Sequence, residues 1–274
     1  METGESNSKL IIKEKDFNDN NIENYHLSIE ISHQTISYCI IDTNKRRCKL
    51  LFTSKYDNNN LVEFLNGDKY LSQDFQSISV SIVNFPNTLV PISLYNDKDK
   101  NDLFSLNHEL DDVILDDNIK NEIKNLYAVP ESLNNTLNNL FPNAKIQSQS
   151  SILINNFLNH QNNKEYLYLY VKDNFVNIIL TKNDELIFQN KFSYQTKEDL
   201  LFYTLFCIQE LNLSNEEIKT DVYGDISKEE FNILYEYIRN IDYGNKLKDI
   251  ECGSEFYNIK THCFSILYRQ HLCV

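Results

Sequence analysis

Residues 25–42 read Tyr-His-Leu-Ser-Ile-Glu-Ile-Ser-His-Gln-Thr-Ile-Ser-Tyr-Cys-Ile-Ile-Asp, and this stretch decides the fold. Leu27, Ile29 and Ile31 alternate with Ser28 and Glu30. A strand with one apolar face requires that pattern, because successive side chains point to opposite faces. Residues 32–35 interrupt the alternation as a turn, and 36–42 resume it as a second strand. After a polar turn at 44–47, a third strand is predicted over 48–54. Connections this short join neighbouring antiparallel strands, so the three form a meander.

The pattern returns later in the chain, with strands predicted at 165–171, 175–181 and 186–194. At an offset of 140 residues (Leu27 onto Leu167), Leu27, Ile29, Ile31, Ile36 and Ile40 meet Leu167, Leu169, Val171, Val176 and Leu180. Each half then continues with a helix and a strand, as a duplication would. In the first half these are a short helix near 61–65 and a strand over 77–85, with Pro86 and Pro91 marking its exit. Strands at 113–115 and 126–129 follow, then a helix opened by Pro130 that buries Leu133, Leu137, Leu140 and Phe141. A strand at 145–149 and a short buried helix at 152–158 complete the half, and the polar break at 160–164 ends it.

In the second half, Thr196 and Asp199 form a capping-box-like pair opening a helix over 196–211. Its body is apolar almost all round, which predicts a central, buried helix. A strand at 221–223 ends at Gly224, and Ser227 with Glu230 caps a helix whose stripe is Phe231, Leu234, Tyr237, Ile238 and Ile241. A last helix over about 259–272 buries Phe264, Ile266 and Leu267. The expectation is an α/β fold of two duplicated lobes, each with a mixed sheet led by the meander and flanked by helices. Residues 1–24 form a partly ordered tail, 25–160 lobe I and 161–274 lobe II.

Composition bounds the function. The chain has 274 residues, 41% hydrophobic and 12% aromatic, with a formal charge of −14. Gly (5), Pro (4) and Ala are scarce while Asn, Lys, Ile and Tyr abound, a bias that an AT-rich coding sequence explains. A nucleic-acid binder needs a basic face to displace counterions, yet no basic run exceeds Lys45-Arg46-Arg47, read as a solvated turn. Anionic membrane surfaces are disfavoured for the same reason. No apolar stretch approaches the roughly 20 residues of a membrane span, and the polar first 24 residues do not read as a secretory signal. The cysteines at 39, 48, 207, 252, 263 and 273 lack CxxC spacing and read as free thiols of a reducing, cytoplasmic compartment.

The duplicated order of meander, helix and strand resembles the actin-like ATPase superfamily (actin, Hsp70, sugar kinases), and within it the small cytoplasmic proteins of pilus assembly and type II secretion. The stretch from Tyr25 to Ile31, the mid-chain helix and the Cys-containing C-terminus are more closely similar to a bacterial domain of unknown function, DUF3822, over roughly residues 25–274. The resemblance implies a ribonuclease H-like fold with ATP bound between the lobes. In that superfamily each meander carries an Asp-x-Gly turn, whose Asp positions metal and water and whose Gly lets backbone amides close on phosphate. Here the first turn reads Glu30-Ile31-Ser32 and the second Tyr170-Val171-Lys172, without Asp or Gly. The adenosine loop, Gly-Gly in the superfamily, reads Gly224-Asp225. The expectation is a pseudo-ATPase with no catalytic residues, cofactor or metal, whose vestigial cleft is marked by Glu30, Ser32, Tyr170, Lys172 and Gly224. Its function would be to bind or scaffold a protein partner or a second copy of itself, with Tyr170 offering apolar area. The alternative is a nucleotide-dependent enzyme, an ATPase or kinase, with divergent phosphate loops.

Other motifs read plainly. His262-Cys263 and His271 with Cys273 lack the spacing of a zinc knuckle, and His262 and His271 would fall nearly opposite on one helix. Asp111-Asp112 and Asp116-Asp117 lack the glycine and spacing of an EF-hand and read as a solvated acidic loop. No GxSxG, HExxH or P-loop motif occurs. His33 reads as an ordinary turn residue. Tyr166, Tyr168 and Tyr170 alternate along one strand face, either beneath helices or as an exposed ladder for a partner.

Overall fold

The computed structural model describes residues 9–56, 61–158, 164–244 and 250–273. The chain divides into two compact units: Met1–Ile152 with Lys248–Ile259 and Ile266–Val274, and Leu153–Leu247 with Lys260–Ser265.

The first unit is built on the predicted meander. Strands β2 (His26–Ile31), β3 (Thr35–Asp42) and β4 (Arg47–Lys55) pair antiparallel in sequence order. Strand β5 (Ser77–Ile82) then lies parallel to β2, and β9 (Lys145–Ser148) parallel to β5. Parallel neighbours need a crossover, and α1 (Leu61–Gly67) lies in the connection from β4 to β5. The apolar alternation serves one core: Leu27, Ile29, Ile31, Ile36 and Ile40 are buried together with Leu65, Leu137 and Phe141. Strand β1 (Leu10–Lys13) pairs with β4 at its outer edge, and beyond it β15 (Glu251–Cys252) pairs with Arg47 and Cys48 of the same strand.

Between β5 and β9 a smaller sheet is inserted, in the order β6 (Asn87–Pro91), β8 (Ile123–Val129), β7 (Val113–Ile119). Its own core of Val90, Phe104, Ile114, Leu126 and Ala128 packs around α2 (Lys100–Ser105). The prolines at 86 and 91 thus bracket an edge strand, where the missing N–H of Pro91 costs no ladder bond. Helix α3 (Glu131–Leu140) starts after Pro130, and α4 (Gln149–Leu158) follows β9.

The second unit repeats the topology. Strands β10 (Tyr166–Lys172), β11 (Phe175–Lys182) and β12 (Glu185–Ser193) form the meander, with β13 (Lys219–Gly224) parallel to β10 and β14 (Asn240–Tyr243) parallel to β13. The registers match: Leu27 faces Ile40 and Ile31 faces Ile36, as Leu167 faces Leu180 and Val171 faces Val176. Helices α5 (Lys197–Glu210) and α6 (Lys228–Tyr237) each begin at a complete capping box, Thr196 with Asp199 and Ser227 with Glu230.

Several expectations are corrected. The N-terminal stretch is no tail from Leu10 onward: it supplies β1, and Phe17 and Ile22 are buried in the first core, with Phe17 stacked on Tyr25 at 5.8 Å. The C-terminal stretch does not all belong to the second lobe: β15 pairs with β4, and Gln270 donates to the Ile29 carbonyl and accepts from Ser79, while Lys260–Ser265 belong to the second unit. The unit boundary lies at 152/153, and residues 159–163 of the expected break lie outside those described. Helix α5 is not buried all round. Leu200, Thr204, Cys207 and Ile208 form its buried stripe, whereas Phe202 is 62% and Phe206 46% exposed. Helix α6 stops at Tyr237, which is itself exposed, and Ile241 belongs to β14. The final helix is broken, with only Ser265–Arg269 (α7) α-helical and 3₁₀ turns on either side. Among the described residues no helix is long and apolar enough to cross a membrane.

Candidate functional site

Glu30 lies near the end of β2, paired in register with Ser37 of β3 and Ser81 of β5, and Ser32 directly follows the strand. Glu30 is buried, at 2% exposure. Ser32 organises the turn behind it. Its amide donates to the Thr35 carbonyl at 3.0 Å, and its hydroxyl accepts from the amides of Gln34 (3.2 Å) and Thr35 (2.9 Å). This is the local side-chain-to-backbone bonding by which serine favours turns over ladders. The Tyr56 hydroxyl donates to the Ser32 carbonyl, so the turn is closed from outside as well. Sequence reading gave Tyr56 no part in the site, since nothing in its spacing ties it to residue 32. His33 is more than an ordinary turn residue: its ring lies 4.1 Å from that of Phe85 and lines a cavity of ≈ 260 Å³ with Tyr56, Leu61, Pro130 and Leu133.

In the second unit β10 brings Tyr170 and Lys172 beside β13. Lys172 is buried, and its ammonium donates to Asp225 Oδ2 at 2.8 Å, with the Asp225 carboxylate partly exposed. Gly224 has φ +86, and a Cβ there would sit 1.9 Å from the Val171 carbonyl oxygen. That close approach lets the Asp225 amide donate to Val171 O at 2.7 Å. The first unit makes the equivalent bond, from the Val83 amide to Ile31 O at 2.8 Å. The hairpin turn itself is the two-residue Asp173-Asn174, at φ 49 and 61, the left-handed pair that Asn and Asp tolerate best.

The tyrosine ladder belongs to the interior. Tyr168 and Tyr170 are buried, Phe157 of α4 stacks on Tyr168 at 3.9 Å, and Tyr166 donates to Asp221 at 2.9 Å. Tyr170 therefore presents no apolar area to a partner in this structure, and the exposed-ladder reading is set aside. The acidic stretch also resolves: Asp116 pairs with Lys124 and Lys100, while Asp117 is buried and accepts the Ser148 amide at 2.7 Å. Burial pushes the Asp117 carboxyl up to about 6. Among the described residues no group of three His, Cys, Asp or Glu side chains is arranged to hold a metal. His262 stacks on Tyr243 at 4.5 Å, and His271 Nδ1 bonds to the Tyr268 carbonyl at 2.8 Å.

This architecture recurs in solved structures. A protein of unknown function with an actin-like ATPase fold from Bacteroides thetaiotaomicron matches with TM-score 0.76 at 22% identity, over 86% of this chain and 95% of that one. PilM, in its complex with PilN in type IV pilus biogenesis, matches with TM-score 0.63 at 10% identity, over 90% and 98%. The ethanolamine utilization protein EutJ from Carboxydothermus hydrogenoformans matches with TM-score 0.52 at 4% identity, over 94% and 91%. No curated protein matches in sequence. The fold is that of the actin-like ATPases, duplicated as the apolar alternation implied. Residues 14–241 match the family of proteins of unknown function DUF3822, and the chain belongs to that family.

Proposed function

We propose that this chain is a non-catalytic binding or scaffold protein of the cytoplasm, with an actin-like fold whose nucleotide turns are closed on themselves. The observation that carries this reading is the destination of the turn amides. A phosphate-binding turn must present backbone N–H groups to the ligand. Here the amides of Gln34 and Thr35 in the first turn donate to the Ser32 hydroxyl, and in the Gly224-Asp225 loop that of Asp225 donates to the Val171 carbonyl. The Lys172 ammonium, the cation best placed to meet a phosphate, donates to Asp225. Opening the first turn or the Gly224-Asp225 loop for ATP would break these bonds before any phosphate contact formed.

A protein partner supplies the function. PilM, of the same fold, occurs in complex with another protein, PilN. In this chain Phe202 and Phe206 stack on one exposed face of α5, and Tyr203 extends the row to Phe192 of β12. Exposed aromatic rows of this kind favour protein interfaces.

Thermal unfolding with millimolar ATP and Mg²⁺ tests the first part. The expected result is an unchanged midpoint, since a ligand at a hundredfold excess over its Kd would stabilise the fold by roughly 2.7 kcal/mol. A rise of several degrees would favour the nucleotide-dependent enzyme instead. An affinity pulldown read by mass spectrometry, comparing the wild type with Phe202→Ser/Phe206→Ser, tests the second. A partner held equally by both would place the interface off α5.

A further inference from the structure

Strand β15 is only two residues long, yet its register sets two cysteines side by side: Cys252 is the partner of Cys48 on β4. Parallel neighbours lie about 4.8 Å apart, inside the roughly 4.4–6.8 Å Cα span that a disulfide requires. The two side chains leave the sheet on the same face, and the Cys48 thiol donates to the Leu50 carbonyl of its own strand at 3.6 Å. Cys48 is fully buried, whereas Cys252 is partly exposed. Gly253 brings the segment close: a Cβ on it would lie 2.4 Å from Glu14 Oε1. We propose that Cys252 and Cys48 are a peroxide-responsive dithiol, oxidised to an intramolecular disulfide that fastens β15 to β4.

The surroundings divide the two roles. The adjoining Cys48 side chain outweighs burial and holds the Cys252 thiol below its usual range; the Tyr268 hydroxyl and the Arg47 charge act in the same direction, and Glu14 opposes them. Burial pushes Cys48 well above that range. Cys252 is therefore the thiolate that reacts and Cys48 the neutral thiol that resolves. The Cys252 sulfur attacks a hydroperoxide oxygen; the S–O bond forms, the O–O bond breaks, and the leaving oxygen takes a proton to become water or an alcohol. The Cys48 sulfur then displaces the sulfenic oxygen. The S–S bond forms, the S–O bond breaks, and that oxygen leaves as water carrying the Cys48 proton. Two thiols lose two electrons and the hydroperoxide gains them. Burial keeps the competing thiols protonated, pushing Cys207 to about 11 and Cys263 to about 12 and raising Cys39 well above its usual range.

The test uses the reduced full-length chain treated with equimolar hydrogen peroxide, quenched with iodoacetamide and mapped by peptide mass spectrometry. The expected product joins the peptides of Cys48 and Cys252, leaves Cys207 and Cys263 alkylated, and disappears on adding dithiothreitol. Cys252→Ser should slow oxidation of Cys48 by at least ~10-fold, following the loss of the thiolate. Cys48→Ala should leave a sulfenic acid on Cys252 that dimedone traps. Mapping of the wild type stands even if a variant fails to fold. Oxidation of Cys207 or Cys263 at the rate of Cys252, or a Cys252 linked to any other thiol, overturns the assignment.

Discussion

Replacing Gly224 by alanine separates two explanations of that glycine. In the superfamily reading it is a remnant of an adenosine loop, kept so that a nucleotide can approach. In the structure it is the point where the backbone at the end of β13 presses against Val171 of β10. An alanine there must adopt φ +86, a left-handed backbone costing a non-glycine residue roughly 1–2 kcal/mol. Its Cβ would also lie 1.9 Å from Val171 O and 2.8 Å from Val171 C, and backbone atoms cannot swing aside as a side chain does. The end of β13 must retreat, losing the 2.7 Å bond from the Asp225 amide, worth about 1 kcal/mol. Together these give a destabilisation of about 3 kcal/mol, a large part of the 5–15 kcal/mol typical of folded proteins. Urea titration followed by far-UV circular dichroism reads it directly. Gly67→Ala is the control, since nothing lies within 4 Å of its added Cβ and, at the end of a helix, it should not destabilise and can add up to about 1 kcal/mol. A loss below about 1 kcal/mol at Gly224 would refute the packing argument.

Two further predictions concern the first unit. Lys49→Met should cost roughly 2 kcal/mol, because Lys49 and Glu14 are both buried at 2.8 Å and the change leaves the Glu14 carboxylate only the Arg47 guanidinium at 2.6 Å. Adding Glu14→Leu should recover part of that loss, and a double-mutant cycle by urea denaturation checks it. Asp117 sets a pH dependence: its carboxyl titrates at about 6 in the fold against 3.8 in the open chain, so the native state binds the extra proton in that window. Stability from this group is therefore highest below pH 4 and falls as pH rises to about 6, by up to ~3 kcal/mol. Asp117→Asn should remove that slope in thermal melts, and identical slopes in both proteins would contradict it.

What was legible in the sequence follows from how far each signal reaches. The meanders were visible because one wholly aliphatic face forces alternation, and both registers came out as the apolar residues required. Both helix starts in the second unit were visible because a capping box is local. The exposure of Phe202 was not, since an apolar sequence does not say which side of a helix finds a neighbour. The strands β6 and β14 were missed for a related reason. Each is short, and pairing supplied by residues distant in sequence decides it. The closeness of Cys252 to Cys48 had no sequence signal, because it depends on the C-terminal stretch returning to the edge of β4.

The two hairpins share register, sheet order and the amide that closes onto the end of the first strand, yet their turns are closed by different chemistry. In the first, the Ser32 hydroxyl gathers the amides of a three-residue loop. In the second, Asp173 and Asn174 make a two-residue left-handed turn, and Lys172 is tied to Asp225. The apolar face constrains every second residue of a strand, whereas a turn needs only some arrangement that satisfies its own polar groups. The fold can therefore persist through sequence change that rebuilds both turns. That is why alternation revealed the duplication while Glu30, Ser32, Tyr170, Lys172 and Gly224 acquired their roles only once their partners were seen. Among these five, Gly224 is the residue whose backbone the fold itself dictates, and Lys172 the one whose charge its neighbour Asp225 already holds.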